Sequence, residues 1–224
     1  MKKVKHQMSE SMLLAILLTL AGGFQDAYSY NCRDHVFANA QTGNIVLLGQ
    51  NLATGQWAEC VHYLLPVLAF MGGVYITEWL RHAFLKSRCL HWRQIILGIE
   101  IALLAVAGIL PQSLNVPANV MMSFACAMQV NAFRKFNGIP CATTMCIGNM
   151  RSATEALCKY RITKDPEMKR RSLHYYFIIF IFALGAAAGA VVTDFIGERS
   201  IWISAALLLA GFVMMFWESE PEKQ

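Results

Sequence analysis

The sequence predicts an all-α integral membrane protein with six transmembrane helices and two re-entrant half-helices, arranged as a 3+3 inverted repeat. Three observations predict this fold: a composition poor in charge, six long apolar runs, and a Gly-Asn element that recurs in both halves. Hydrophobic residues make up 56% of the 224 residues and charged residues only 15%, whereas soluble domains carry about 25% charged residues.

The six apolar runs predict the transmembrane helices. A spanning helix needs roughly 17–25 mostly apolar residues, and the stretches that meet this requirement are 11–30, 61–80, 94–110, 117–133, 173–193 and 200–217. The first run follows basic residues at 2–5, but Gln25 and Asp26 follow Gly22-Gly23 and no A-x-A-like cleavage site closes it. We therefore interpret it as a span and not as a signal peptide.

The distribution of basic residues predicts the topology. Lysine and arginine concentrate at 2–5, 81–93, 134–135 and 159–171, whereas 111–117 carries no charge. The positive-inside rule assigns basic loops to the cytoplasm. Six spans with both termini in the cytoplasm satisfy it if 31–60 and 136–158 enter the membrane and return on the same side. If both segments crossed, the basic stretch 81–93 would be external.

The two halves of the chain resemble each other at one offset. A shift of 105 residues places Asp26-Ala27-Tyr28 on Asn131-Ala132-Phe133 and Gly43-Asn44 on Gly148-Asn149. We predict a first repeat at 1–110, with a re-entrant segment at 36–53, and a second at 111–224, with one at 139–158. Three crossings in each half is an odd number, so the repeats are predicted to be inverted.

The polar segments within apolar surroundings predict the re-entrant half-helices. Irregular backbone at membrane depth is tolerated only where protein buries it or water lines it. We predict short helices at 43–53 and 148–158, with Thr42 or Asn44 available to cap the first. Because the repeats are inverted, the two helix N-termini, each with a partial positive charge, are expected to meet near the membrane midplane.

Polar residues near this expected meeting point are the candidate binding site. A carboxylate within a span is costly, so Asp26 is a functional hypothesis, and its counterpart in the repeat is the neutral Asn131. For Glu100 the sequence leaves open whether the side chain pairs with another helix or has a function. For Asn44 and Asn149 it leaves open whether the amide serves packing or function. The predicted solute-binding residues are Gln25, Asp26, Thr42, Gly43, Asn44, Gln129, Asn131, Gly148 and Asn149.

The stretches GGFQDAYSY and VFANAQTGNIVLLGQNLATGQW resemble the YoaK family of bacterial inner-membrane proteins of unknown function. The family pattern, Gly-Gly-x-x-Asp-Ala followed by Thr-Gly-Asn, matches 22–27 and 42–44. A later Thr-Gly-Asn-like element matches Gly148 and Asn149, but Ile147 replaces its threonine. The resemblance implies a multi-pass protein of the bacterial inner membrane and implies no substrate.

These features favour a membrane channel or secondary transporter for a small polar or anionic solute, with proton coupling through Asp26. The alternative is a non-transporting membrane module that binds a partner protein or a lipid. The expected partners are the solute and the lipid bilayer, with a homo-oligomer left open and no nucleic acid expected.

No enzyme activity is predicted, because the chain carries no catalytic or nucleotide-binding motif. No cofactor and no metal site are predicted either. The cysteines are interpreted as free thiols that act as small apolar residues. A soft-metal pathway through Cys126, Met128, Cys141, Met145 and Cys146 is the competing interpretation.

Overall fold

Eight α-helices and one β-hairpin form the part of the chain that the computed structural model describes, residues 10–84 and 92–216. The helices are α1 (Met12–Cys32), α2 (Gln41–Ala53), α3 (Trp57–Phe84), α4 (Trp92–Ala107), α5 (Asn115–Ala132), α6 (Cys146–Thr163), α7 (Pro166–Ile196) and α8 (Ile201–Phe216). The hairpin pairs β1 (Lys135–Phe136) antiparallel to β2 (Ile139–Pro140). The all-α prediction is confirmed, while both chain termini and the middle of the basic stretch 81–93 lie outside the described residues.

Three helical stretches in the described residues are long and apolar enough to cross a membrane: Met12–Cys32, Trp57–Phe84 and Pro166–Phe216. The third comprises α7 and α8, which a 3₁₀ turn at Gly197–Ser200 separates. Most residues of each predicted apolar run lie in a single helix, but α4 and α8 have only 16 residues each. The chain therefore has the apolar helices of a membrane protein.

The predicted run 94–110 is longer than the helix that the structure contains. Helix α4 ends at Ala107. The carbonyls at and after this end accept hydrogen bonds from the Arg33 guanidinium. Arg33 Nη2 donates to the carbonyls of Ala107, at 2.9 Å, and Leu110, at 2.8 Å, and Nη1 donates to the Pro111 carbonyl at 3.3 Å. The carbonyls at a helix end need such partners, so this buried arginine stabilises the end of α4 and the turn that follows it.

Contacts at the helix ends define two faces of the bundle. At the proximal face, where α1 begins, Arg93 donates to the Ala132 carbonyl and pairs with Glu10. At the distal face, where α1 ends, Arg33 donates to Asn115 at the start of α5. Helices α1 and α4 therefore run from the proximal to the distal face, and α5 runs in the opposite direction.

Close glycine contacts give the directions of α7 and α3. A methyl group on Gly185 of α7 would lie 2.3 Å from the Leu20 carbonyl oxygen, and one on Gly189 would lie 2.7 Å from that of Phe24, so α7 runs parallel to α1. A methyl group on Gly73 of α3 would lie 2.5 Å from the Phe124 carbonyl oxygen. Further along both helices Asn131 of α5 donates to the Val74 carbonyl, so α3 runs parallel to α5.

Helix α8 completes the set of long helices. Its first turn lies at the distal face, where the Trp202 indole donates to the Ala105 carbonyl. Gly211 lies against Leu14, near the start of α1, and Leu97 of α4. Helix α8 therefore runs from the distal to the proximal face, antiparallel to α1 and α4.

Helices α2 and α6 belong to segments that turn back halfway along α1. In the first turn-back segment, residues 33–53, the chain returns along α1 until Asn39 donates to the Gly22 carbonyl at 3.0 Å. Helix α2 then leads back to the distal face, where His62 at the start of α3 contacts the Asp34 carbonyl.

The second turn-back segment, residues 133–163, enters from the proximal face. Asn137 donates to the Glu10 carbonyl there, and Thr144 then reaches Gly22, where an added methyl group would lie 3.0 Å from Thr144 Cγ2. Helix α6 leads back to Pro166 at the start of α7. Both turn-back segments thus meet α1 at the same glycine.

The first half-helix ends at Ala53 as predicted, but the predicted starts of both half-helices and the predicted end of the second are wrong. The half-helices begin two residues earlier than predicted, at Gln41 and Cys146, and α6 continues to Thr163 instead of ending at 158. The extension carries a Lys159–Glu155 ion pair one turn apart. Helix α6 ends where Lys164 adopts a left-handed conformation with φ of 59°, because Asp165 and Pro166 begin the next helix.

Helix packing relates the first four helices to the last four. The main pairs are α1 with α7, α5 with α3, α7 with α6, α3 with α2, α1 with α8, α5 with α4, and α4 with α8. Exchanging each helix of α1–α4 with the corresponding helix of α5–α8 converts six of these pairs into one another and the pair of α4 with α8 into itself. The two halves therefore interlock, since α1 packs mainly on helices of the second half.

Candidate functional site

Buried polar side chains gather along the middle of α1, where the two turn-back segments meet. We define this central polar layer as Gln25, Asp26, Asn39, Glu100, Cys126, Gln129, Thr143 and Ser204, all of which are buried. The residues come from α1, α4, α5, α8 and the irregular part of each turn-back segment. In the layer, both halves of the chain bring polar groups to the middle of α1.

Asp26 holds the first turn-back segment against α1. Its Oδ1 accepts the backbone N–H of Asn39 at 2.7 Å, and the Asn39 side chain donates to the Gly22 carbonyl. One turn further along α1, the Ser29 hydroxyl oxygen accepts the N–H of Ala38 at 3.0 Å. A carboxylate that accepts a backbone N–H makes a strong, charge-assisted hydrogen bond, so Asp26 determines where the segment turns.

Asn44 and Asn149 make the same pair of hydrogen bonds with the backbone seven residues earlier. Asn44 Oδ1 accepts the Phe37 N–H at 3.0 Å, and Nδ2 donates to the Phe37 carbonyl at 2.8 Å. Asn149 binds the N–H and the carbonyl of Ala142 at 3.4 and 2.6 Å. Each amide supplies the partners that an irregular backbone residue lacks, and the matching geometry follows the 105-residue offset of the sequence.

The prediction that Thr42 or Asn44 caps α2 is wrong. The N-cap position is Ala40, which makes no side-chain capping bond. The Asn44 amide is already bonded to Phe37 and to Gln41 Oε1, and the Thr42 side chain is exposed. The amide stabilises the descending segment and does not satisfy the first turn of the helix.

Two glutamines connect α1 to the other helices of the layer. The Gln25 amide donates to Ser204 Oγ at 3.0 Å, and its carbonyl accepts the Cys126 thiol at 2.8 Å. The Gln129 amide donates to the Leu18 carbonyl, at 3.2 Å, and to Thr143 Oγ1, at 2.9 Å. Gln25 thus joins α1 to α5 and α8, and Gln129 joins α5 to α1 and to the second turn-back segment.

Several buried polar atoms around the layer have no hydrogen-bond partner in the described part of the chain. They include Thr19 Oγ1, Asn39 Oδ1, Gln129 Oε1, Thr144 Oγ1 and both carboxyl oxygens of Glu100. Buried polar groups in native proteins nearly always have a partner, which is protein or ordered water. Asn39 and Thr144 lie at the meeting point of the two segments, and Gln129 bonds to the second segment there, so their unpaired atoms are available to a polar ligand.

Residues 14–214 match the model of a family described as a protein of unknown function, DUF1275. The chain belongs to the DUF1275 family. No curated protein and no solved structure matches the chain. The match with DUF1275 covers the stretches at 22–27 and 42–44 that resemble the YoaK family, and it assigns no activity.

The remaining predicted site residues of the DUF1275 chain lie away from the layer. Thr42 and Gly148 are exposed on the half-helices, and Gly43 packs against the Phe37 ring, which leaves no space for a methyl group. Asn131 lies near the proximal face, where it donates to the Val74 carbonyl and to Glu78 Oε2 and accepts from Arg134. Of the predicted residues, Gln25, Asp26 and Gln129 belong to the layer, while Asn44 and Asn149 support the two segments that reach it.

Sequence reasoning missed Asn39, Cys126, Thr143 and Ser204 as members of the layer. Asn39 lies in the polar stretch that the sequence singles out, but nothing in the local pattern distinguishes it from Gln41. Cys126 and Ser204 are identified only by the packing of α5 and α8 against Gln25, and Thr143 only by its hydrogen bond with Gln129. Within residues 10–84 and 92–216, no group of three or more His, Cys, Asp or Glu side chains is arranged to hold a metal ion.

Proposed function

We propose that the DUF1275 chain is a channel or secondary transporter for a small polar solute in the bacterial inner membrane. The observation that carries the proposal is the set of buried polar atoms without partners beside Gly22. An unpaired buried donor or acceptor costs about 1–3 kcal/mol. A polar solute at this place would pair with these atoms, and the turn-back segments would give it access from either face.

The proposed topology has six spans, α1, α3, α4, α5, α7 and α8, with α2 and α6 as re-entrant half-helices. Helix α2, with 13 residues, is about 20 Å long, which is shorter than the roughly 30 Å of a hydrocarbon core. Helix α6 has 18 residues, more than the 16 of the proposed spans α4 and α8, so its assignment rests on the second turn-back segment reaching Gly22 and returning. The direction of each long helix in one half is opposite to that of its counterpart in the other half. The matching hydrogen bonds of Asn44 and Asn149 further support a 3+3 inverted repeat, the architecture of many secondary transporters.

The proposed orientation places the proximal face in the cytoplasm. Arg93 and Arg134 lie at this face, and the basic residues at 159–171 lie where α6 ends and α7 begins. Arg33 is at the distal face, but it is fully buried and bonded to the end of α4. An excess of basic residues in cytoplasmic loops is the usual pattern, and the resemblance to the YoaK family agrees with the inner membrane of bacteria.

The charges of the layer favour a neutral or cationic solute over an anion. The layer contains two carboxyl groups, Asp26 and Glu100, and no lysine, arginine or histidine. The N-termini of α2 and α6 carry partial positive charge and would favour an anion, but Asp26 already lies against the residues that precede α2. A full carboxylate charge outweighs a half-helix dipole, whose effect falls off within the first turn.

A proteoliposome assay tests the proposal with four small probes: glycerol, urea, methylammonium and formate. Light scattering follows the volume recovery of vesicles after an osmotic jump with each probe. We expect recovery faster than in protein-free vesicles for glycerol, urea or methylammonium, and no effect for formate. A faster recovery with formate alone would show that the half-helix dipoles determine selectivity. If all four probes behave as in protein-free vesicles, the non-transporting membrane module becomes the better interpretation.

A matched pair of glycine variants tests whether solute passes where the turn-back segments meet. In Gly22→Ala the new methyl group lies 3.0 Å from Thr144 and narrows the meeting point, whereas in Gly49→Ala it meets nothing within 4 Å. Both changes replace glycine by alanine in a helix, so their effects on helix propensity are similar. We expect Gly22→Ala to slow solute movement and Gly49→Ala to leave it unchanged. Equal rates in the two variants would place the pathway elsewhere.

A further inference from the structure

Glu100 is a carboxyl group buried at the centre of the bundle. It lies midway along α4, and none of its surface is exposed. Neither carboxyl oxygen has a hydrogen-bond partner among the described residues. The Gln25 side chain of α1 lies beside it; one N–H of its amide donates to Ser204 and its carbonyl accepts from Cys126, which leaves one amide N–H towards Glu100.

The helices around Glu100 bring no cation to it. Helix α8 has no titratable side chain between Ile201 and Phe216, and the one titratable side chain of α5 is Cys126, which lies close to Glu100. The acidic and basic side chains of α3 lie in its end turns: Glu59 and His62 at the distal face, and Glu78, Arg81 and His82 at the proximal face. Helix α1 contributes the acidic Asp26, next to Gln25.

Glu100 and Asp26 therefore have different environments. Asp26 accepts a backbone N–H from Asn39, a hydrogen bond that stabilises the ionised form. An ionised Glu100 would be a buried charge without a cation and with only the second N–H of the Gln25 amide as a donor, which costs several kcal/mol. A protonated carboxyl has one O–H donor, and Gln25 Oε1, which accepts only the Cys126 thiol, has a second lone pair to receive it.

We propose that Glu100 is a proton-binding site, which carries a proton when α1, α5 and α8 pack around it and releases the proton to water when they separate. The released proton leaves an ionised carboxylate, which water must solvate, so release requires an open arrangement of the bundle. The use of this proton in coupling rests on the proposed transport function. The binding of a proton by Glu100 in the packed state does not depend on the proposed transport function.

Infrared spectroscopy of the purified full chain tests the occupancy without any transport. A protonated carboxylic acid has a carbonyl band separate from that of a carboxylate, and the band shifts on exchange into D₂O. At neutral pH we expect this band in the wild type and in Asp26→Asn, and its loss in Glu100→Gln. Glu100→Asp should restore an acid band at a changed frequency. This variant also provides the test if Glu100→Gln does not fold. An identical acid band in wild type and Glu100→Gln, or its loss only in Asp26→Asn, would overturn the proposal.

Proteoliposomes then test coupling with the same probes as above, with and without a pH gradient. We expect Glu100→Gln to retain solute movement at equal pH and to lose the response to the gradient. A full response in Glu100→Gln would refute the coupling role even if the infrared result holds. If the wild type moves no probe, the proposed transport function fails, whereas the proton site stands or falls on the infrared band alone.

Discussion

Replacing Asn44 by alanine removes the side chain that supports the first turn-back segment. Three hydrogen bonds are lost: those with the N–H and the carbonyl of Phe37, at 3.0 and 2.8 Å, and the one with Gln41 Oε1, at 2.9 Å. The Asn44 side chain is fully buried, and the alanine methyl group cannot replace any of these bonds. Two backbone groups of Phe37 would lose their partner.

The expected loss of stability follows from these unpaired groups. Each buried donor or acceptor left without a partner costs about 1–3 kcal/mol, and Phe37 is half-buried, which favours the lower part of this range. We expect Asn44→Ala to lower the free energy of unfolding by about 2–4 kcal/mol. At about 2–4 °C per kcal/mol for a chain of this size, the midpoint of thermal unfolding should fall by roughly 4–16 °C.

A thermal-stability measurement on detergent-purified protein tests this value against a control from the same helix. Asn51 donates to the Leu47 carbonyl one turn earlier in α2, at 2.8 Å. Because this carbonyl lies within the helix, it also has the backbone N–H of the helix as a partner. Asn51→Ala is expected to change stability by no more than about 0.5 kcal/mol. Asn149→Ala should resemble Asn44→Ala, because it removes the corresponding bonds of the second segment. If Asn44→Ala and Asn51→Ala have the same midpoint of thermal unfolding, the Asn44 amide does not support the first turn-back segment.

Three further variants test individual contacts. Asp26→Asn keeps an acceptor for the Asn39 N–H, so we expect a folded protein whose free energy of unfolding falls by about 1 kcal/mol. Its solute movement should still respond to a pH gradient, and loss of that response would instead support proton coupling through Asp26. Arg33→Lys leaves fewer donors for the carbonyls at and after the end of α4. We expect a loss of about 1–3 kcal/mol in a denaturation assay, whereas wild-type stability would contradict the role of the guanidinium. Gly73→Ala should strongly lower the yield of folded protein on size exclusion, because the methyl group would lie 2.5 Å from a backbone oxygen of α5, while Gly72→Ala, with its nearest contact at 3.9 Å, should not.

The sequence predicts the helices of this fold well because apolar runs and polar interruptions are local features. The two turn-back segments are also predictable, since a Gly-Asn element recurs at one offset and Asn44 and Asn149 make matching bonds. The partners of these amides are not predictable from the pattern. A residue seven positions earlier comes into reach only because the intervening backbone folds back on itself.

The candidate site is less predictable, because neighbouring helices decide what each polar side chain contacts. Asp26 and Asn131 occupy equivalent positions in the sequence repeat, but Asp26 binds the backbone of a turn-back segment and Asn131 binds α3. Glu100 lies in a helix that is apolar all round, where the pattern does not indicate the buried face. Its lack of partners is a property of the packing of α1, α5 and α8 around it.

Site-directed cysteine labelling tests the central claim most directly, which is that each turn-back segment leaves the membrane on the face where it entered. Single cysteines in place of Gln56, Ser113 and Lys169, all exposed, are introduced into a chain without native cysteines and treated with a membrane-impermeant thiol reagent. A fourth position in the basic stretch 81–93, residue 87, lies outside the described residues and is predicted to be cytoplasmic. We expect the cysteines at 56 and 113 to react in intact cells, and those at 87 and 169 to react only after the membrane is opened. Reaction at 87 from outside would mean that the first segment crosses the membrane, and the inverted repeat and the site at its centre would both be wrong.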